Sequence, residues 1–393
     1  QNMFIAPLLA RSSRAASFAR QSATALRAAH GRHRPMSRRL VTRRQLGREQ
    51  IELDVSASAP QVESSSTDHG QLSEEGQHAL VLDRFLPGSL AVQLRTEFDA
   101  AFADPRSLDP KRFVWDFWHM PSQYSHHRTP AAQFFSAATY EQLETELLNF
   151  GQRQLGCSAM TPIWLSYYID GSRQELHADV PHGPWAFVIS LTHDADHGSA
   201  FTGGETMILE PRVLDYWRTF SSSEVVELPS LMTLHAPKFN RLLAFDPRMP
   251  HGVRIVEGTR DPTRARIVLH GWFAEPAPFF EGALSEEQAT DALQDALDPL
   301  FERLAELPLA IGVLTLRLHI DGTDGSVRNV EGPLTDTLVA RPQTLAEHED
   351  PAAVREEIWA AVLDAMSSAR FPASADGGDS WITLPLVFDD GDQ

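Results

Sequence analysis

Apolar residues recur along this chain with two different periods, and the changes between them divide it into segments. Leu90, Leu94, Phe98 and Phe102 return every four residues behind Pro87, Gly88 and Ser89, which predicts a capped helix with one buried face. A second helix is expected over Ala131 to Leu155. The stretch between them, "RFVWDFWHMPSQYSHHRT", reads as an unusually aromatic connection that either walls a groove or packs the helices. From Pro162 to about Glu275 the period drops to two, in "IWLSYYI", "WAFVISLT", "GETMIL", "RLLAFD", "GVRIV" and "RARIVLHGWF". Short alternating runs between turn residues predict an antiparallel sandwich or barrel. Residues 283 to 306 look helical and acidic, as a connector would. Leu314, Leu316, Leu318 and Ile320 then share one face of a strand, "DGTDG" turns and "SVRNVE" returns, so a hairpin is expected. A helix over about Pro351 to Arg370 and the strand "WITLPLVF" complete a small α+β module.

Composition narrows the class. The 393 residues suffice for two or three domains, and 42% apolar content is too high for a disordered chain. The net charge of -19 hides an asymmetry: residues 1 to 48 hold eleven Arg and no acid, which leaves 23 basic against 53 acidic residues afterwards. So acidic a body argues against nucleic acid or an anionic membrane as the main partner. Cys157 is the single cysteine, which excludes an intramolecular disulfide and a thiolate-rich metal site. No apolar run approaches the roughly 18 residues that cross a bilayer. Residues 1 to 50, rich in Arg, Ser and Ala, suit an organelle transit peptide directing the chain to a mitochondrion or plastid; the alternative is a basic disordered tail on a cytoplasmic protein. Residues 51 to 80 read as a Ser-rich linker.

Three His-x-Asp pairs occur: His177/Asp179, His319/Asp321 and His348/Asp350. Sixteen histidines among this much Asp yield about one such pair by chance, so context has to choose. His319/Asp321 runs into the hairpin turn, and Asp350 before Pro351 reads as a helix N-cap. His177/Asp179 differs. Residues i and i+2 of an extended strand project to one side and can reach one ion, and a third ligand can come from His251 at the start of another short strand. Two histidines and a carboxylate on one octahedral face leave positions open for a chelating cosubstrate and dioxygen. In "RARIVLHGWF" Arg264, Arg266, Val268, His270 and Trp272 share one face, and Ala265, Ile267, Leu269 and Phe273 the other. Arginines inside a small barrel are costly unless an anion meets them.

The ordered set "YIDGSRQELHAD", "FTGGET", "PHGVRIVEGTR" and an Arg six residues before the Trp of "WF" resembles the catalytic domain of the Fe(II)- and 2-oxoglutarate-dependent dioxygenases, prolyl 4-hydroxylase-type, over residues 163 to 275. The resemblance implies a double-stranded β-helix (jelly-roll) barrel over 161–280 with helical support over 81–160, hence an α+β chain. It implies His177, Asp179 and His251 as iron ligands, Arg266 as the clamp on the far carboxylate of 2-oxoglutarate with Arg264 as its rival, and Tyr168 as a donor to the cosubstrate. His182, His270 and Trp272 are further pocket candidates; His126 and His127 are unassigned, and His193 and His197 are expected in solvent. The implied activity couples oxidative decarboxylation of 2-oxoglutarate by dioxygen to hydroxylation of a C–H bond, with ascorbate as a candidate reductant. Its substrate would be peptidyl proline or another protein side chain, though Arg in place of the Lys of some prolyl hydroxylases weakens a collagen-type assignment. Two other readings stay open: a cupin-like metal protein that does not use 2-oxoglutarate, and a scaffold acting through residues 308–393. That last segment, behind a helical connector over 281–307, resembles the C-terminal domains of the TonB family in the order of its elements and in "RFPAS".

Overall fold

The computed structural model describes residues 77–179, 182–193, 200–211, 213, 231–345 and 350–389. The basic segment, nearly all of the Ser-rich linker, His197 and His348 lie outside the described residues. Seventeen strands are described, in two sheets. The first contains β1 (Ala79–Leu82), β2 (Asp116–Met120), β3 (Tyr124–Pro130), β4 (Cys157–Met160), β5 (Trp164–Tyr168) and β6 (Arg173–His177). It continues with β7 (Trp185–Ser190), β8 (Thr206–Leu209), β9 (Met232–His235), β10 (Leu242–Phe245), β11 (His251–Val253) and β12 (Arg266–Pro276). Its order is β1, β10, β7, β12, β5, β3, β6, β11, β8, β9, with β2 on β3 and β4 on β12. The pairings are antiparallel, and the sheet curls into a half-barrel with a few helices against it.

The two faces of β12 follow the alternation in its sequence. Ala265, just ahead of the strand, and Ile267, Leu269 and Phe273 enter the main core, where they meet Leu90, Leu94 and Phe98 of the helix Gly88–Phe102 and Leu143 and Leu147 of the helix Ala137–Phe150. Phe98 is fully buried among Phe134 and Trp115, with ring centroids 5.6 and 6.0 Å away. Truncating such a side chain costs about 3–5 kcal/mol, so Phe98→Ala would loosen the helix from the sheet. The opposite face of β12 looks into the concave side of the half-barrel.

The aromatic "connection" is itself part of the sheet. It forms the β2–β3 hairpin, and β3 runs centrally, paired with β5 on His127↔Tyr167 and Arg128↔Ser166. Its alternation was hard to read because neither face is aliphatic. His127 stacks on Tyr167 at 4.7 Å on the core side, while His126 and Arg128 point into the cavity. Trp115 alone of the quartet Phe113, Trp115, Phe117 and Trp118 packs against the helices; Phe113 and Phe117 are exposed.

The second sheet has the order β13 (Phe279–Gly282), β17 (Ser380–Phe388), β14 (Ala310–Ile320), β15 (Val327–Asp336), with β16 (Val339–Ala340) on β14. Leu314, Leu316, Leu318 and Ile320 are fully buried against the helices Glu286–Leu304 and Pro351–Ser368. The first of these helices, expected as a connector, is part of this core: Leu293, Leu297, Leu300 and Leu304 form its buried stripe, and Ser285 caps it by accepting from the Gln288 N–H. Asp350 caps the other helix by accepting from the Ala352 N–H at 3.0 Å. Its carboxylate is therefore used as a cap, as the Pro351 context suggests. The sheets meet where Arg153 pairs with Glu281 at 2.7 Å and where the Arg248 guanidinium donates to the Thr337 carbonyl at 2.7 Å.

Candidate metal centre

His177 ends β6, His251 begins β11, and the two stand directly opposite in the antiparallel register. The strands approach closely because Gly252 follows; a Cβ there would lie 2.6 Å from the Gln174 carbonyl oxygen. The two rings sit 4.5 Å apart. Asp179 joins them through its own backbone, its N–H donating to the Pro247 carbonyl at 2.9 Å. The Nε2 atoms of His177 and His251 lie 3.4 and 3.3 Å from the two carboxylate oxygens of Asp179, and one ligand atom from each residue falls within 4.8 Å of the others.

Each imidazole is oriented from behind. Nδ1 of His177 donates to the Glu175 carbonyl and Nδ1 of His251 to the Met249 carbonyl, both at 2.9 Å. A carbonyl can only accept, so the ring proton sits on Nδ1 and each Nε2 presents a lone pair. Trp272 Nε1 donates to Asp179 Oδ2 at 3.1 Å. Two lone pairs and a carboxylate thus converge with no donor between them. A divalent cation of the borderline class resolves that repulsion, and this donor set fits one.

The loop carrying His251 is tightly determined. Asp246 accepts from the Arg248 backbone and side chain, and the Met249 N–H donates to the Asp246 carbonyl. Pro247 and Met249 spend their carbonyls on Asp179 and His251, as above. Arg248 anchors the loop to the second sheet through Thr337, so that sheet braces the segment from which two of the three candidate ligands are positioned.

The concave side of the half-barrel encloses a cavity of about 740 Å³, lined by all three of these residues and by Arg266, Tyr168, His182, His270 and Trp272. Arg266 is 1% exposed. Its Nε donates to the Gly204 carbonyl at 2.6 Å and its Nη2 to Thr206 Oγ1 at 3.1 Å, while Nη1 is buried with no hydrogen-bond partner. The cation lies over the Tyr168 ring at 4.6 Å. Gly203 and Gly204 of "FTGGET" make this cradle possible: both have φ +78°, and a Cβ on Gly204 would meet Arg266 Cδ at 3.1 Å. Tyr168 donates its hydroxyl to Gln174 Oε1 at 3.0 Å, and burial pushes its phenol up, so it remains a donor at neutral pH.

Arg264 is separated from this group. It closes the 3-10 turn Pro262–Arg264 ahead of β12 and does not line the cavity, because the strand's alternation starts only at Arg266. His270 Nε2 bonds Ser166 Oγ at 2.9 Å, and burial drives its pKa down to about 3, so it is a neutral wall residue. His182 lies against Trp272, the ring centroids 4.6 Å apart and the planes tilted by 33°. His193 is exposed, as expected, and lies beside Asp99 at 3.7 Å. The sequence reading missed Arg128, Trp164, Gln174 and Thr206 as cavity residues and left His126 unassigned, whereas Trp118 of the aromatic stretch does wall the cavity. The signal was the i, i+2 pairing of His126 and Arg128 in "SHHRT", hidden once that stretch was read as a connection.

No family model matches the chain, and no curated protein does. Solved structures similar to it are prolyl hydroxylases and other 2-oxoglutarate- and Fe(II)-dependent oxygenases. A prolyl hydroxylase from Trichoplax adhaerens, in complex with a peptide fragment of the hypoxia inducible factor oxygen degradation domain, is 14% identical with TM-score 0.36 over 50% of this chain and 84% of that one. A Pseudomonas putida prolyl-4-hydroxylase gives 16% and 0.35 over 50% and 92%. A viral collagen prolyl hydroxylase from Paramecium Bursaria Chlorella virus-1, in its 2-oxoglutarate complex, gives 15% and 0.32 over 50% and 96%. The TonB likeness of the C-terminal segment gains no support from these comparisons.

Proposed function

We propose that this protein is a non-haem Fe(II)- and 2-oxoglutarate-dependent dioxygenase that hydroxylates a C–H bond. One observation carries the reading. A facial set of two imidazole lone pairs and one carboxylate shares a cavity with a buried guanidinium whose Nη1 has no partner. The first fits a ferrous ion and the second fits an anion, and 2-oxoglutarate is the molecule that joins the two. The curled half-barrel agrees with a double-stranded β-helix.

In this reading His177, Asp179 and His251 hold Fe(II), and Arg266 receives the distal carboxylate through charge-assisted hydrogen bonds. When bound, iron and cosubstrate supply the oxidising chemistry, converting 2-oxoglutarate and dioxygen to succinate and carbon dioxide as one oxygen atom enters the substrate; ascorbate is a candidate reductant for iron oxidised in futile cycles. The protein's own residues orient and exclude. The Glu175 and Met249 carbonyls fix the imidazole tautomers, Trp272 fixes the carboxylate, and Tyr168 holds the Arg266 face. The walls formed by Val188, Val253, Val268 and Phe245 keep water scarce around the reacting centre. A cavity of about 740 Å³ is far larger than a five-carbon diacid fills, which leaves room for part of a peptide or another substrate of similar bulk. The basic N-terminal segment supports delivery to a mitochondrion or plastid, testable by fusing residues 1–50 to a fluorescent protein.

Anaerobic titration with Fe(II) and 2-oxoglutarate tests the proposal. The wild type is expected to develop the weak visible charge-transfer band of the chelate, and His251→Ala is not. Turnover of 2-oxoglutarate to succinate in air separates this reading from a cupin-like protein that uses the metal alone. Identical spectra from both proteins would remove His251 from the site and the proposal with it.

A further inference from the structure

The cavity holds a second guanidinium that the proposed reaction does not use. Arg128 projects from β3, its Nε is buried without a hydrogen-bond partner, and no carboxylate among the described residues lies within ion-pair distance of it. Asp116, its cross-strand neighbour, acts on it only through its field. Burial lowers its pKa to about 10, which leaves it cationic at neutral pH. Its Cζ lies over two indoles, Trp118 from β2 and Trp164 from β5, at 2.9 and 4.1 Å from the ring centroids. The two strands flank β3.

Position separates this cation from the cosubstrate clamp. Arg128 pairs with Ser166 on β5, whereas Arg266 pairs with Tyr168 from β12 on the far side of β5. Two inter-strand spacings put the strands about 10 Å apart, before the offset along β5 is added. A diacid held between the metal and Arg266 therefore leaves Arg128 unmatched. Trp118, which borders Arg128 in the cavity lining, is 39% exposed, so this end of the cavity is accessible from outside.

We infer that Arg128 is the residue that selects the substrate, and that the molecule hydroxylated carries a carboxylate which docks on it. The inference rests on the oxygenase reading above, which assigns Arg266 to the cosubstrate. Aromatic faces stabilise a cation but offer no acceptor for its N–H groups, so the fork keeps its donors for a ligand. Indoles over the guanidinium leave its edge as the approach. A planar carboxylate can lie in that plane and take two parallel hydrogen bonds, whereas a tetrahedral oxyanion drives a further oxygen toward an indole face.

The test uses the full chain loaded anaerobically with Fe(II) and saturating 2-oxoglutarate, so that Arg266 is occupied. Benzoate and benzamide, alike in shape and different in charge, are titrated by calorimetry, with Trp118 and Trp164 fluorescence as a second readout. The wild type is expected to bind benzoate at least tenfold more tightly than benzamide, and sulfate is expected to compete poorly. In Arg128→Gln the gap should fall below twofold; in Arg128→Lys, which keeps the charge without the fork, part of it should remain. Equal binding of the two probes by the wild type overturns the inference, as does a gap that survives in Arg128→Gln or a sulfate affinity matching that of benzoate. A wild type that prefers benzoate through Arg128 but shows no Fe(II)·2-oxoglutarate band overturns the oxygenase reading and the substrate assignment together. That outcome is distinct from a band that forms normally in a protein that cannot tell benzoate from benzamide.

Discussion

The same tripeptide pattern, His-x-Asp, ends a strand in each of the two sheets, and the surroundings give it opposite meanings. In the second sheet His319 Nε2 is bonded to Asp379 at 2.9 Å, and its ring stacks on Trp381 at 4.9 Å. Asp321 is spent on Thr323 and on Arg328 at 2.7 Å. Nothing is left to give. In the first sheet the Nδ1 atoms are tied to backbone, and both Nε2 atoms face a carboxylate with no donor between them. The arginines differ in the same way. Arg317 and Arg355 of the second sheet and its helices pair with Glu281 and Asp336, while in the cavity Arg266 and Arg128 have no acid at ion-pair distance among the described residues. A network that closes on itself stabilises a fold; one left open in a cavity is waiting for a ligand.

That contrast breaks most sharply if the metal is not where it is placed. His251→Ala should weaken Fe(II) binding by more than about 100-fold, since even an outer partner of a metal ligand is worth 10–100-fold. Arg266→Met should lower 2-oxoglutarate affinity by about 2–3 kcal/mol, or roughly 30- to 150-fold, read by titration of the Fe(II)-loaded protein. Metal affinity measured without cosubstrate should stay the same.

A pH series sharpens the comparison through stability. His126 and His270 are buried in the cavity wall, and burial lowers both to about 3, below their ordinary value near 6.5. The unfolded chain then binds protons that the folded chain refuses. Unfolding free energy should therefore fall as pH drops from about 6.5 toward 3, with a slope of up to about 1.4 kcal/mol per pH unit for each histidine. His270→Gln should flatten it in chemical denaturation. In the second sheet Asp321, held down to about 2 by its Thr323 hydrogen bonds and Arg328, contributes above its ordinary value of 3.8 and is lost only as pH falls toward 2. Acid should thus loosen the cavity before it reaches the hairpin turn.

Trp272→Phe keeps the ring and removes the donor to Asp179, so metal affinity should fall by about tenfold while the Fe(II)·2-oxoglutarate band still forms. Smallest of all, His319→Gln should leave Fe(II) affinity within about twofold of the wild type, because distant sites act independently. A larger change there would erase the distinction between the two His-x-Asp pairs.

Much of this was visible in the order of residues because it depends on short-range periodicity. The alternation of β12 separated Ile267, Leu269 and Phe273 from Arg266, His270 and Trp272, and both sets face where the period says. The turn context of His319 and the Pro after Asp350 were enough to read those pairs as structural. The β2–β3 hairpin was not readable. Its cavity face is built from His126 and Arg128 and its other face from His127, so the polar-to-apolar contrast that normally marks a strand is missing. Arg264 failed for a related reason: a period of two continues on paper through Ala265, whereas the chain turns at Pro262 and the strand begins only at Arg266.

By itself the sequence determined which residues could serve as ligands and which faces are apolar, because each depends on neighbours within a few positions; the cap expected ahead of Leu90 did not follow, since Pro87 takes the N-cap position and no side chain bonds there. Whether His177 meets His251, whether Arg266 and Arg128 find an acid, and which cation stands near the candidate metal centre depend on strands far apart in the chain. Those were decided only by the curled sheet, since long-range pairing fixes which unsatisfied groups end up sharing one cavity.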